Sequence, residues 1–192
     1  MTWNWEQSDW PKFCWDSEAL KALEAQFQLQ SGVLIGSIKH IPDEDRTLLI
    51  IDMITSEAIK TSEIENEFLN RDSVQSSIRR NFGLDADNHK VPPAERGISE
   101  MITDLYKRFN EPLTNKTLFE WHKMITSGRK DLQDIGRYRT SEYPMQVVSG
   151  PISNPRIHFE APPSNQVTTE MEKFIEWFSK TSPECKNALP AL

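Results

Sequence analysis

The sequence predicts an all-α protein, a mainly helical bundle, that carries one β-hairpin. Apolar residues recur at helical spacing in several segments, as in amphipathic helices. Strand-forming residues dominate only two neighbouring runs, MQVVSG at 145–150 and RIHFEA at 156–161. The connection between these runs, PISNP, is rich in turn-forming residues, so we expect a hairpin over residues 144–161.

The first two helices are predicted from apolar spacing and from residues that begin or end helices. One is expected over 17–30, with Gly32 and Gly36 bending or ending it. Pro42 and the three acidic residues after it begin the second. It continues as one long helix, or as two with a break near Thr61. In either case, residues 58–70 are predicted to be helical.

Later helices follow the same rules. Asp72 or Ser73 is expected to cap a short helix that reaches Phe82. Thr114 is expected to cap another within the segment 112–126, which begins with Pro112. Further helices are predicted at 95–109 and 164–180.

Bulk composition sets the broad class. The 192 residues are 37% hydrophobic and 27% charged, which suits one globular domain or one domain with a small appendage. The net charge of −7 argues against nucleic acid or an acidic membrane as a partner. No run is long and apolar enough to span a bilayer, and the two cysteines, Cys14 and Cys185, lie far apart. We therefore expect a cytoplasmic protein with free thiols.

Four of the six tryptophans, Trp3, Trp5, Trp10 and Trp15, lie in the first 15 residues. Residues 1–41 are predicted to form a Trp-rich region, an extended arm followed by a helix. Such an arm most often covers a neighbouring surface. Base stacking is the alternative function, and the acidic background argues against it.

Spacing alone gives no catalytic arrangement and no metal site. His122 falls inside an amphipathic helix, and no cysteine or histidine pair has zinc-ligand spacing. Glu63 and Glu67, four residues apart, could bind a cation, although a solvated helix face is the more ordinary interpretation. The hairpin could hold an extended peptide by strand addition or serve as a structural lid.

The segment TSEIENEFLN at 61–70 combines charge with an apolar stripe of Ile64, Phe68 and Leu69, which we expect to anchor it. Thr61, Glu65 and Asn66 fit the pattern [S/T]xxxE[G/N]. This pattern resembles the inhibitory-helix motif of Fic-domain adenylyltransferases.

The resemblance extends over nearly the whole chain and in the same order. WNWEQSDWPKFCWD at 3–16 is similar to the start of the small Trp-rich domain found in some Fic proteins. LFEWHKMIT, GRYR and MQVVSGPISNPRIHFEAPP resemble the Fic core helix, the turn after it and the flap hairpin.

The resemblance implies an enzyme that transfers AMP from ATP to a hydroxyl side chain of a target protein, with Mg²⁺. Glu65 would be the inhibitory glutamate, pairing with a catalytic-loop arginine that otherwise binds the γ-phosphate, and Thr61 and Asn66 would be its flanking motif positions. The flap would hold the target segment as an added strand. Its predicted residues are Met145, Gln146, Val147, Val148, Ser149, Ile157, His158, Phe159 and Glu160.

The sequence departs from the family's pattern in one major respect. The family's catalytic motif, HxFx[D/E]GN[G/K]RxxR, does not occur in these residues. The chain ends in ALPAL, where the family's next helix would begin. We therefore expect residues 42–192 to be the N-terminal portion of a Fic core, and the chain by itself to be inactive, without catalytic or metal-binding residues. The alternative is a stand-alone module that inhibits or docks onto a separate Fic-like partner. The oligomeric state stays open, with a homodimer among the outcomes.

Overall fold

The predicted fold class, all-α with one hairpin, is confirmed. The computed structural model describes residues 2–12, 14–86, 90–183, 185–186 and 188–189. This part of the chain contains six α-helices and one two-stranded antiparallel sheet. The elements are α1 (Ser17–Ile38), α2 (Asp43–Ile64), α3 (Arg71–Asn81), α4 (Pro93–Arg108), α5 (Asn115–Ile125), β1 (Gln146–Ser149), β2 (Arg156–Glu160) and α6 (Ser164–Lys180).

The first helix is longer than predicted. It continues through Gly32 and Gly36 and ends at Ile38. A glycine inside a helix costs about 1 kcal/mol relative to alanine, which the residues around it can offset. The helix expected to begin at ALPAL, residues 188–192, lies largely outside the described residues, which omit 187 and 190–192.

The segment after α2 is not helical to residue 70 as predicted. The helix ends at Ile64, and residues 67–70 have no regular structure. Asn70 caps α3, because its side-chain oxygen accepts a hydrogen bond from the backbone N–H of Ser73 at 2.9 Å. The expected caps, Asp72 and Ser73, lie inside the first turn of that helix. Thr114, by contrast, caps α5 as predicted and accepts from Thr117.

The chain divides into two compact units, and the division falls inside α1. Residues 31–136 form one unit, in which α3 packs against α2 and α4, and α4 packs against α5. Its buried apolar core is small and consists of Ile51, Ala58, Val74, Ile78 and Ile102. The sequence predicts a domain boundary between residues 41 and 42, and the two compact units do not coincide with it. That boundary stays a prediction.

The second unit joins residues 1–30 to residues 137–192. It contains the Trp-rich arm, the hairpin and α6. The arm begins with a short 3-10 turn, Asn4–Glu6, rather than an α-helix. The ring of Trp3 meets that of Phe159 edge-on, with 5.9 Å between their centroids. The arm therefore packs against the hairpin, and its Trp5 and Trp10 also line a cavity together with α6.

Many large apolar side chains stay exposed in both units. Examples are Phe27, Leu34, Leu48 and Met53, each about half accessible. Incomplete burial of apolar residues is thus a feature of the described chain. Within the described residues, none of the helices combines the length and the apolar character needed to cross a bilayer.

Candidate functional site

Two places in the structure correspond to the predicted site residues, one in each compact unit. The first is the C-terminal turn of α2, residues 61–67, called here the α2 turn. Asn66 has a φ of +60°, in the left-handed region. The backbone N–H of Asn66 donates to the carbonyl of Glu63 at 3.0 Å, and that of Glu67 donates to Ser62 at 2.9 Å. These two bonds form a Schellman motif, which closes the helix.

The Schellman motif explains one position of the sequence pattern. Only glycine and, less readily, asparagine adopt a left-handed backbone at low cost. In the pattern [S/T]xxxE[G/N], the last position is therefore the place where the chain reverses direction. It follows that Asn66 fixes where Glu65 stands, and that its own side chain need not take part in any chemistry.

Glu65 is the C-cap of α2 and is exposed to solvent. Across the described parts of the chain, no hydrogen bond or ion pair involves its carboxylate. Its neighbours are engaged. The Thr61 hydroxyl lies 3.1 Å from the carboxylate of Glu57, and Lys60 pairs with Glu63 at 2.7 Å. The α2 turn thus presents one free carboxylate at a fixed position.

The predicted apolar anchor of this turn is mostly wrong. Ile64 and Phe68 are about 80% exposed, and only Leu69 packs against the buried core. The reason is the early end of α2: once the chain reverses at Asn66, residues 64 and 68 no longer share a helix face with Leu69.

Arg129 is a neighbour of this turn that sequence reasoning missed. Its guanidinium forms a two-pronged pair with Asp131, with nitrogen–oxygen distances of 2.8 and 2.6 Å. The charge of Glu67 also acts on it and contributes to raising the pKa of Arg129. Glu63 is therefore paired with a cation of the chain itself, and the charge of Glu67 acts on another. Only the fold reveals this, since Arg129 is 62 positions from Glu67 in the sequence.

The Arg129–Asp131 pair predicts a measurable pH effect. Hydrogen bonds from Arg129 are the main cause that lowers the pKa of Asp131 from 3.8 to about 2. The pair's contribution to stability is therefore complete above about pH 5 and is lost as the pH falls through about 2. In an NMR titration of side-chain carboxyls, Arg129→Gln should return the Asp131 midpoint towards 3.8. The midpoint of Glu176, whose pKa is lowered by Lys180, is the unaffected control. An unchanged Asp131 midpoint in the variant would contradict the assignment.

The hairpin is the second candidate site. Gln146 pairs with Glu160 and Val147 with Phe159, and then a bulge at His158 shifts the register so that Val148 faces Ile157. Two polar pairs lie across the strands: Gln146 Nε2 donates to Glu160 at 2.6 Å, and Ser149 Oγ lies 2.7 Å from His158 Nε2. The predicted flap residues are thus together, with Met145 one residue before β1 and Arg156 added at the start of β2.

The two edges of the hairpin differ. Ala161 N–H donates to Met145, so the peptide groups of Glu160 point away from β1. On that outer side, Trp5 Nε1 donates to the Glu160 carbonyl at 2.7 Å. The Trp-rich arm therefore closes this end of the β2 edge, and β1 has the edge better placed for an added strand. Along it, Val147 and Val148 are about half exposed.

Neither site contains a metal centre. Among the described residues, no three His, Cys, Asp or Glu side chains come close enough to hold a metal ion. The residues present therefore do not fit the Mg²⁺ that the resemblance implies. His122 lies in helix α5, as predicted, and is half-buried. Its Nδ1 accepts from the backbone N–H of Gly136 at 3.1 Å.

Comparison with known families adds one finding. Residues 3–84 match the family model described as a domain of unknown function, DUF4172. The match includes the Trp-rich arm, α1, α2 with its turn, and α3, and it ends before the hairpin. No curated protein matches the chain.

Proposed function

We propose that these residues are the N-terminal part of a Fic-family protein adenylyltransferase, which transfers AMP from ATP to a hydroxyl side chain of a target protein. In this proposal Glu65 holds the enzyme inactive. The observation that carries it is the free, exposed carboxylate of Glu65, held at the end of α2 by the left-handed turn at Asn66. The DUF4172 match over residues 3–84 includes this turn and is compatible with the proposal.

The inhibitory chemistry needs a carboxylate that is available to an incoming arginine. A guanidinium binds a carboxylate and a phosphate with the same fork of N–H donors. An arginine paired with Glu65 cannot also hold the γ-phosphate of ATP. The nucleotide would then lose the alignment that attack on its α-phosphate requires. Because Glu65 has no competing partner among the described residues, its carboxylate could form such a pair without breaking another.

The hairpin would hold the target. An extended segment added to the outer edge of β1 would gain backbone hydrogen bonds, and its side chains would alternate between the two faces of the hairpin. The closure of the β2 edge by Trp5 favours addition on the β1 side. The half-exposed Val147 and Val148 offer apolar contacts beside that edge.

The chain by itself should not transfer AMP. The HxFx[D/E]GN[G/K]RxxR motif is absent from its sequence, and the described residues provide no metal site. We therefore place the general base, the metal ligand and the arginine that meets Glu65 in a following segment of a longer protein.

The test uses the protein encoded by the complete reading frame, incubated with ATP labelled at the α-phosphate. Glu65→Gly should raise self-labelling at least about tenfold, because a hydrogen-bonded charged group contributes about 1.5–3 kcal/mol and 1.4 kcal/mol corresponds to tenfold. Asn66→Gly is the matched control. It keeps the left-handed turn and satisfies the same motif, so labelling should stay at the wild-type level.

Two results would count against this function. Equal labelling by wild type and Glu65→Gly would remove the gating role of Glu65. Transfer of AMP by the 192-residue chain alone would refute the assignment of the catalytic residues to another segment.

A stand-alone regulatory module is the second candidate. The exposed and unpartnered Glu65 could equally meet an arginine on a separate Fic-like protein. The reading frame after Leu192 discriminates between them. An in-frame segment of the HPFxxGNGR type supports the enzyme, and a stop codon supports the module.

A further inference from the structure

An apolar cavity lies between the Trp-rich arm and α6, inside one compact unit. It has a volume of about 480 Å³, and we call it the Trp cavity. Its walls include Trp5 and Trp10 from the arm, and Met171, Phe174 and Trp177 from α6. Neither the hairpin strands nor the α2 turn contributes to it, so the proposed function leaves it without a role.

The walls are aromatic and partly accessible. Phe174 and Trp177 lie 6.0 Å apart between ring centroids, inclined at 36°, and each is 41% exposed. Accessible aromatic rings in a concave site favour stacking with another planar ring. Such a pair buries apolar area, and the quadrupoles of the two rings also attract each other.

One polar feature interrupts the apolar lining. Glu170 and Lys173, both lining residues, form an ion pair at 2.7 Å, and the side chain of Lys173 is 62% exposed. Together they offer a hydrogen-bond acceptor and a donor. Because the pair has no net charge, it favours a neutral ligand with a polar edge over a charged one.

We propose that the Trp cavity binds a small, planar, neutral aromatic molecule that carries one hydrogen-bonding edge. The volume lies within the range of about 300–1,000 Å³ that small-molecule sites occupy. Most of its lining is apolar, with few polar groups, which is the usual composition of such sites. Its enclosure between an arm and a helix suits a compact ligand rather than an extended chain.

Binding in this cavity would also reach the hairpin. Trp5 is a wall residue, and its Nε1–H is bonded to the Glu160 carbonyl of β2 at 2.7 Å. A ligand that packs on the Trp5 ring would therefore hold the arm against the β2 edge. The Trp5 indole N–H is the natural reporter of occupancy.

5-Fluoroindole serves as the probe, because it is planar and neutral and has one N–H donor. We expect saturable binding to one site in ¹⁹F NMR of the full chain. In ¹⁵N spectra, the Trp5, Trp10 and Trp177 indole signals should shift with the same affinity. The signal of Trp121, whose Nε1 is bonded to Asp104 in the other compact unit, should stay in place. Absence of saturation, or equal shifts of all four signals, would overturn the proposal.

Matched variants separate stacking from adsorption to other exposed apolar residues. Phe174→Leu keeps an apolar side chain but removes a ring, and should weaken binding about two- to tenfold, since an aromatic pair contributes about 0.5–1.5 kcal/mol beyond its area. Ile152→Ser removes a fully exposed apolar side chain outside the cavity and should leave affinity unchanged. If Phe174→Leu binds like wild type, or Ile152→Ser loses binding, the site is wrong. An unchanged Trp3 indole signal, from a ring that meets Phe159 in the same compact unit, checks the fold of each variant.

Discussion

Replacing Gly97 by alanine is expected to destabilise the unit of residues 31–136 strongly. Gly97 lies on α4 where this helix meets α5. A Cβ at this position would fall far inside van der Waals contact with the carbonyl oxygen of Met124 and 2.9 Å from its carbonyl carbon. Both atoms belong to the backbone, so no side-chain rotation can relieve the clash. The two helices must move apart, at an expected cost of about 1–3 kcal/mol or more.

Gly36→Ala is the matched control, because a Cβ at that helical position meets nothing within 4 Å. There the same substitution should stabilise the protein by about 0.5–1 kcal/mol through helix propensity alone. Urea unfolding followed by circular dichroism, with hydrogen exchange of α4 and α5, measures both variants. If Gly97→Ala stabilised the protein as Gly36→Ala is expected to, α4 and α5 would not approach as closely as the structure places them.

The same two glycines show what local sequence can predict. Gly32 and Gly36 were expected to bend or end α1, yet the helix continues through both, whereas Gly97 lies inside a helix that was predicted to include it. Whether a glycine breaks a helix or permits a close crossing depends on the partner it meets, and that partner is distant in sequence. Caps behave differently, because their bonds span only three residues. The cap at Thr114 was predicted correctly on that basis. For α3, the predicted cap Asp72 is only two positions from the observed cap, Asn70.

The candidate sites were predictable to a similar extent. Hairpin pairing follows from strand propensity and turn composition, so its residues were placed almost completely. The position where α2 ends was not predicted, because the chain reversal there depends on a single residue, Asn66, adopting a positive φ. Contacts between distant segments, such as Trp5 with Glu160 or Arg129 near Glu67, have no local pattern at all.

Ile78→Ala is expected to be the most damaging truncation in the unit of residues 31–136. Ile78 is fully buried, with 0% of its surface accessible, and it belongs to a core of only five buried apolar residues. Such a truncation removes buried methyl groups and leaves a cavity, with a typical cost of about 2–5 kcal/mol. Hydrogen exchange of α3 reports the loss directly, without assuming that the two compact units unfold together.

Ile64→Ala removes the same atoms within the same compact unit, from a side chain that is 79% exposed. Its effect should stay within about 0.5 kcal/mol. The comparison also decides between the two accounts of the α2 turn. If Ile64 anchored the turn, as its sequence pattern indicated, its truncation would approach the cost of Ile78→Ala. A negligible effect means that the backbone bonds around Asn66, and not apolar packing by Ile64, hold Glu65 in position.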